Sequence, residues 1–215
     1  MSKTAPKPKT ATAPKIAPKT KESNGIVVRN ACVDDVPPIL ELVNSLAQEQ
    51  VMLPRSPISV YEGIRDFVVA EVDGVFAGCG ARKVVWADLA EVRSLAVAKN
   101  QQKGGIGRAL VERIVRDAEE LGVPTLFAFT YVPGFFEKLG FKIVPNESLP
   151  HKVFSDCMHC PKFMACDEIA MIRQLRPLDA QEEKARLTAA PNSFPLPRRL
   201  KVMQDERKAG QPVRR

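Results

Sequence analysis

Residues 102–107 read Gln102-Lys103-Gly104-Gly105-Ile106-Gly107, a glycine-rich segment between a predicted strand and a predicted helix. Backbone N–H groups at the start of a helix form a receptor for phosphate, because they point outward at the positive end of the helix dipole. Glycines suit this position, since a side chain would keep a pyrophosphate away from the backbone. Lys103 and Arg108 can add positive charge. The segment predicts a pyrophosphate site, although a tight turn before a helix has a similar composition.

The chain before this loop alternates between strand and helix patterns. Apolar residues recur with the spacing of a half-buried strand or of an amphipathic helix, and turn residues separate the segments. From the N-terminal side, the predicted elements are strand Ile26–Arg29, a helix capped by Asp34-Asp35, a short helix opened by Ser56-Pro57, a hairpin of Phe67–Val72 and Val75–Val85, and strand Asp88–Val97.

The chain after the loop continues with a long helix, which is predicted to end at Gly122. Its apolar face consists of Ile106, Leu110, Val111, Ile114, Ala118 and Leu121. The remaining predicted elements are strand Thr125–Thr130, helix Pro133–Leu139, strand Phe141–Val144 and strand Glu168–Leu175. Together, these elements predict an α/β fold with a mixed, mostly antiparallel sheet that is flanked by helices.

The positive charge of the chain is concentrated near its two ends. Residues 1–24 hold six Lys and one Glu, and residues 198–215 hold seven Lys or Arg against Asp205 and Glu206. Each of these segments therefore carries +5, which leaves −3 for residues 25–197 out of a net charge of +7. A nucleic-acid-binding domain normally carries its positive charge on a folded face. The basic segments predict solubilising tails, or at most weak and non-specific binding of polyanions such as nucleic acid.

Composition also predicts how the chain is divided. Residues 1–24 consist mainly of Lys, Thr, Ala and Pro, so they cannot bury enough apolar surface to fold. We expect a disordered tail over residues 1–24, one domain over residues 25–176 and a mostly disordered basic extension over residues 177–215. The sequence lacks an apolar run of about 20 residues and a secretion signal, which predicts a cytoplasmic protein with no membrane partner. Whether it forms a homodimer stays open.

The order of elements, followed by Phe135-Phe136-Glu137-Lys138-Leu139-Gly140-Phe141, resembles the GNAT acetyltransferase superfamily. In that family, the loop matching residues 102–107 holds the pyrophosphate of acetyl-CoA. The segment matching Phe135–Phe141 borders the pantetheine and the thioester. The resemblance therefore implies acetyl-CoA as the co-substrate. A dinucleotide-binding fold is disfavoured, because its glycine fingerprint should follow the first strand.

A narrower resemblance extends over about residues 26–175. The segments that carry it are Leu53–Ser56, Glu91–Val97, Leu149–Phe154, Asp156-Cys157, Cys160–Phe163 and Cys166–Met171. They are similar to the short, single-domain N-acetylglutamate synthases of arginine biosynthesis. This resemblance implies transfer of an acetyl group from acetyl-CoA to the α-amine of an amino acid, with L-glutamate as the expected acceptor.

The resemblance also implies catalytic groups. The acceptor amine must lose a proton before it attacks, and Glu91 lies in the strand where GNAT enzymes often place the carboxylate that accepts it. The backbone N–H groups near Ala96 and Val97 would polarise the thioester carbonyl. Many relatives have a Tyr at the position of Phe136, where it protonates the departing thiolate. Phe136 cannot do so, which leaves Tyr131 or solvent as the proton donor.

The expected acceptor has two carboxylates, which suit arginine side chains. Arg55 lies in the segment that borders the acceptor pocket in this family, and Arg93 lies near Glu91 in the same strand. Ser94 is a third candidate for binding the acceptor. An enzyme that acetylates a protein or a polyamine would have no use for Arg55 and Arg93. A non-catalytic acetyl-CoA-binding module with polyanion-binding tails is the alternative from another functional class.

Three of the five cysteines lie within ten residues of one another, at Cys157, Cys160 and Cys166. Thiolates at these spacings could hold a structural zinc ion, with His151 and His159 nearby. The pattern falls short of two paired Cys-x-x-Cys units. An iron–sulfur cluster and packed or redox-sensitive thiols therefore remain alternatives.

Overall fold

The computed structural model describes residues 20–21, 25–149 and 166–181. In this part of the chain, eight strands form a single sheet. The strands are β1 (Thr20–Lys21), β2 (Ile26–Asn30), β3 (Phe67–Val72), β4 (Val75–Trp86), β5 (Leu89–Val97), β6 (Thr125–Thr130), β7 (Lys142–Ile143) and β8 (Ile169–Gln174). The helices are α1 (Val36–Gln48), α2 (Pro57–Glu62), α3 (Ile106–Glu120) and α4 (Pro133–Glu137).

The sheet has the strand order β1-β2-β3-β4-β5-β6-β8-β7. Pairing is antiparallel between all neighbours in the described part of the sheet except β5 and β6, which run parallel. The connection from β5 to β6 contains α3, as a parallel crossover requires. This topology confirms the predicted mixed, mostly antiparallel sheet.

The two long helices cover opposite faces of the sheet. The apolar side of α3, including Leu110 and Ile114, packs with Val68 and Ala70 of β3 in one core. The apolar side of α1 packs in a second core with Phe67 and Val69, which alternate with the first pair along the same strand. Because successive side chains of a strand point to opposite faces, β3 supplies both cores.

The surroundings of two side chains differ from the sequence predictions. Leu121, assigned to the buried face of α3, is 56% exposed because the helix ends before it. Asp35 does not cap α1 through its side chain. Its carboxylate instead accepts hydrogen bonds from the Cys32 backbone N–H at 2.7 Å and from the Arg29 guanidinium at 2.6 Å. Burial acts to raise the pKa of Asp35, but the hydrogen bonds from Arg29 and Cys32 outweigh it and lower the pKa.

The predicted tails lie mostly outside the described residues, which leave out residues 1–19, 22–24 and 182–215. Thr20 and Lys21, assigned to the N-terminal tail, instead form β1 and pair with Val27 and Val28 at the edge of the sheet. The described helices include none that is long and apolar enough to cross a bilayer.

Candidate functional site

A cleft opens where β5 and β6 separate. Their parallel ladder ends at the pair Glu91 and Phe127 in the described structure, although β5 continues to Val97 and β6 to Thr130. The cleft has a volume of about 1150 Å³. Its walls come from these two strands, the segment after α1, the start of α3 and α4, so residues distant in sequence meet in one place.

A bulge in β5 explains why the strands separate. Cys79 pairs with Ala96 and Ala81 pairs with Arg93, so Ser94 and Leu95 together lie opposite the single residue Gly80. Ser94 has a φ of +50°, a left-handed conformation that turns the strand. The strand beyond the bulge carries Ala96 and Val97, whose predicted task is to polarise the thioester, and both line the cleft.

Small residues on β4 make room for the bulge. A Cβ atom at Gly78 would lie 2.7 Å from the carbonyl oxygen of Ala96, which is closer than real contacts allow. Burial raises the pKa of the Cys79 thiol to about 12, so the thiol is protonated at neutral pH. Its sulfur lies 3.7 Å from the carbonyl oxygen of Ser94, within reach of a weak S–H hydrogen bond.

The glycine-rich loop closes one end of the cleft. Lys103 and Gly105 have φ values of +68° and +89°, and Gly105 is the N-cap of α3. A Cβ atom at Gly105 would meet nothing within 4 Å, so the space above this backbone is open to a ligand. The predicted loop residues that line the cleft are Gln102, Lys103, Gly105, Ile106, Gly107 and Arg108, whereas Gly104 is exposed beside them.

Gly107 brings α3 close to α4. A Cβ atom at Gly107 would lie 3.4 Å from the ring of Phe135, so a larger residue would crowd this contact. Phe136 is 4% exposed, and its ring centroid lies 5.1 Å from that of Phe135 and 5.2 Å from that of Phe141. Phe136 is therefore a packing residue of this aromatic group as well as part of the cleft wall.

Glu91 and Arg93 lie side by side on β5. Glu91 is 3% exposed, and its carboxylate lies 4.0 Å from Nη1 of Arg93. This separation is at the outer limit of a salt bridge, so the two side chains attract each other without a close hydrogen bond between these atoms. Arg93 also interacts electrostatically with Asp66, whose pKa is raised by burial and lowered to a smaller extent by Arg82 and Arg93. The charge of Arg93 is thus shared between two carboxylates of the protein.

Arg55 lines the cleft from the irregular segment between α1 and α2. The side chain of Asn44 forms hydrogen bonds with both the backbone N–H and the backbone carbonyl of Arg55. Sequence reasoning did not identify Asn44, because a polar residue within the pattern of α1 looks like part of its solvent-exposed side.

Tyr131 directly follows β6 and is 37% exposed. Its hydroxyl donates a hydrogen bond to Oδ1 of Asp167 at 2.8 Å. Tyr131 and Glu168 both line the cleft, so the segment just before β8 contributes to the same site. Tyr131 must break its hydrogen bond to Asp167 before it can donate its proton to a ligand.

The structure brings one of the three candidate metal ligands to the cleft. Cys166 is exposed and lines it, whereas Cys157 and Cys160 lie outside the described residues. The residues that are described contain no cluster of three His, Cys, Asp or Glu side chains that could hold a metal ion. The predicted metal site stays a prediction.

Comparisons with known proteins give the cleft a family context. Residues 63–143, which run from the end of α2 to β7, match the family described as Acetyltransferase (GNAT) domain. An uncharacterized N-acetyltransferase of Chlorobaculum tepidum is 44% identical over 148 residues, which cover 69% of this chain and 96% of that protein. The chain belongs to the GNAT acetyltransferase family. It is therefore an acetyl-CoA-dependent N-acetyltransferase, as its resemblance to this family predicted.

Two further proteins are similar over more than half of this chain. An amino-acid acetyltransferase of Mycobacterium tuberculosis is 35% identical over 133 residues, which cover 60% of this chain and 76% of that protein. The structure of N-acetylglutamate synthase from Neisseria gonorrhoeae, complexed with coenzyme A and N-acetyl-glutamate, has a TM-score of 0.65 and 29% identity. That match covers 73% of this chain but 36% of the Neisseria chain.

Proposed function

We propose that this enzyme transfers the acetyl group of acetyl-CoA to the α-amine of L-glutamate, the first step of arginine biosynthesis. The observation that carries the proposal is that two arginines, Arg55 and Arg93, line the same cleft as Glu91 and the loop at residues 102–108. Arginine side chains suit an acceptor with carboxylates, whereas a cationic acceptor such as a polyamine would be repelled.

The relatives agree with an amino-acid acceptor. The Mycobacterium protein is named as an amino-acid acetyltransferase, and the Neisseria structure contains coenzyme A with N-acetyl-glutamate. The two arginines that line the cleft are the main support for an acceptor with carboxylates.

The proposed reaction begins with removal of a proton from the acceptor ammonium group by Glu91, directly or through water. The free amine then attacks the thioester carbonyl carbon. The nitrogen loses its second proton to solvent, and the bond between carbon and sulfur breaks as the amide forms. Glu91 suits the role of base because it is buried at the point where β5 and β6 separate, beside the cleft. In this proposal, the backbone N–H of Val97 stabilises the oxyanion of the intermediate, because the N–H groups at Ala96 and Ala98 point toward β4.

The thiolate of CoA leaves with the electron pair of the broken bond and is protonated by Tyr131 or by solvent. Tyr131 is a candidate because it lines the cleft. Its hydroxyl proton is directed toward Asp167, so donation to the thiolate would cost that hydrogen bond. We therefore propose that solvent can replace Tyr131, and that Tyr131→Phe lowers kcat by less than tenfold.

The experiment that tests the proposal measures release of free CoA with each of the twenty amino acids as acceptor, together with spermidine and a lysine-rich peptide. The proposal predicts the highest kcat/KM with L-glutamate and little turnover with the cationic acceptors. A preference for spermidine or the peptide would contradict the acceptor assignment. Absence of turnover with every acceptor, in protein that binds acetyl-CoA, would support a non-catalytic acetyl-CoA-binding module instead.

A further inference from the structure

Asn44 makes two hydrogen bonds to the backbone of a single residue, Arg55. Its side-chain nitrogen donates to the Arg55 carbonyl oxygen at 3.1 Å, and its side-chain oxygen accepts from the Arg55 N–H at 2.9 Å. This pairing uses both the donor and the acceptor of the amide, as a neighbouring strand does in a sheet. It fixes both the position and the orientation of the Arg55 backbone.

The element that carries Asn44 is itself firmly anchored. Val43 is fully buried and Leu46 is 9% exposed, and both pack in the core between α1 and the sheet. Asn44 lies between them on α1 but does not line the cleft, whereas Arg55 does. Asn44 therefore connects a rigid helix to a residue of the cleft, although Asn44 itself does not line the cleft.

The segment that carries Arg55 is restricted on both sides by proline. Residues 53–56 belong to no helix or strand. Pro54 has a fixed φ, and Ser56 precedes Pro57 and adopts the extended conformation that such a position favours, with φ −80° and ψ 151°. Leu53 is 40% exposed, whereas Arg55 is partly buried. The two prolines stiffen the segment, and the bonds from Asn44 hold its inward-pointing residue.

We infer that Asn44 is a positioning residue that sets acceptor affinity by holding Arg55 in the cleft before the acceptor binds. The inference rests on the proposed function, in which Arg55 binds an acceptor carboxylate. An arginine with a flexible backbone loses more conformational freedom when it binds the acceptor than one whose backbone is already fixed. The flexible arginine therefore binds the acceptor more weakly. Asn44 thereby acts on the acceptor through Arg55 alone.

The test compares Asn44→Ala, Arg55→Ala and the double variant in steady-state kinetics, with the amino acid that the wild type acetylates best. Alanine favours the helix, so α1 is expected to form in Asn44→Ala. We expect Asn44→Ala to raise the KM for the acceptor about fivefold to tenfold, as loss of one or two net hydrogen bonds would do. The KM for acetyl-CoA and kcat should stay within about twofold of wild type.

Two further measurements separate positioning from a general effect on stability. In the Arg55→Ala background, Asn44→Ala should add no further rise in KM, because the two residues act as one unit. Hydrogen exchange should become faster in a peptide covering residues 52–56 of Asn44→Ala. Ser45→Ala is the matched control, since the Ser45 hydroxyl bonds to the Leu42 carbonyl within the same helix. Ser45→Ala should change neither the acceptor KM nor the rate of hydrogen exchange in residues 52–56.

The outcomes that overturn the inference differ from those that overturn the proposed function. If Arg55→Ala raises the acceptor KM but Asn44→Ala does not, the inference is wrong and the proposed role of Arg55 stands. If Asn44→Ala lowers kcat and weakens acetyl-CoA binding as well, or adds to the effect of Arg55→Ala, Asn44 does not act through Arg55. If neither variant changes the acceptor KM, both the role of Arg55 and the inference fail.

Discussion

At the scale of single residues, Arg55 and Arg93 have different surroundings although both line the cleft. Arg93 lies 4.0 Å from Glu91 and also interacts with Asp66, so its charge is partly neutralised within the protein. Arg55 is held through its backbone by Asn44. Arg55 is therefore the better candidate for binding an acceptor carboxylate, and Arg93 the better candidate for holding Glu91 in place.

This difference predicts distinct kinetic effects for the two arginines. Arg55→Ala should raise the KM for glutamate by about tenfold to a hundredfold, since a charge-assisted contact contributes about 1.5–3 kcal/mol. Arg93→Ala should raise the same KM and also lower kcat, because it removes the charge beside Glu91. Arg55→Lys keeps the positive charge but loses the planar guanidinium group. Its KM for glutamate should therefore lie between those of the wild type and Arg55→Ala. Normal glutamate kinetics in both alanine variants would exclude the acceptor assignment.

Glu91→Gln is predicted to separate chemistry from binding. The amide is nearly isosteric with the carboxylate but cannot accept a proton from the acceptor at neutral pH, so kcat should fall by about a hundredfold or more. Binding of acetyl-CoA and of glutamate should change little. The loss should be smaller at high pH, where more of the free acceptor amine is already deprotonated. Unchanged kcat in Glu91→Gln would mean that another group or solvent is the base.

Gly105 offers a direct test of the predicted pyrophosphate site. Asn and Asp both tolerate the left-handed φ of +89° better than most residues and have nearly the same size. They differ in charge, so Gly105→Asp should weaken acetyl-CoA binding at least tenfold more than Gly105→Asn. Isothermal titration calorimetry measures both Kd values. Equal affinities for wild type and Gly105→Asp would contradict the predicted position of the phosphates.

At the scale of elements, the separation of β5 from β6 depends on the neighbouring strand β4. Gly78→Ala would place a Cβ atom 2.7 Å from the Ala96 carbonyl oxygen, so the strand beyond the bulge must shift. We expect a lower Tm, measured by calorimetry, and weaker binding of acetyl-CoA. Gly134→Ala is the matched control, because a Cβ atom there meets nothing within 4 Å. Equal Tm values for the two variants would show that this contact relaxes easily.

The elements themselves followed closely from local pattern. β6 has the predicted bounds, and the turn of the hairpin lies at Asp73 and Gly74, both with positive φ. Both features depend on residues that are neighbours in the sequence, so the spacing of apolar and turn residues predicts them. The exposure of Leu121 and the hydrogen bonds of Asp35 depend instead on where a helix ends and which strand lies beside it.

At the scale of the whole molecule, we propose that the basic tails are not needed for chemistry. A truncated chain of residues 20–181 retains β1 and every other described element, so it should keep kcat and KM within about twofold of the full chain. It should lose most retention on heparin, because each terminal segment carries +5. A large loss of turnover in a truncated chain with an unchanged circular dichroism spectrum would place part of the site in a tail.

The sequence by itself determined the order of elements, the glycine-rich loop and the resemblance that led to acetyl-CoA, because each depends on residues that are close together in the chain. Only the tertiary structure decided which distant side chains meet in one cleft. Arg55, Glu91 and Tyr131 come from separate segments, and they line one cleft that opens beside the bulge at Ser94. The contact between Asn44 and Arg55 has the same origin. An amide on a helix identifies no partner until folding brings another backbone within hydrogen-bonding distance.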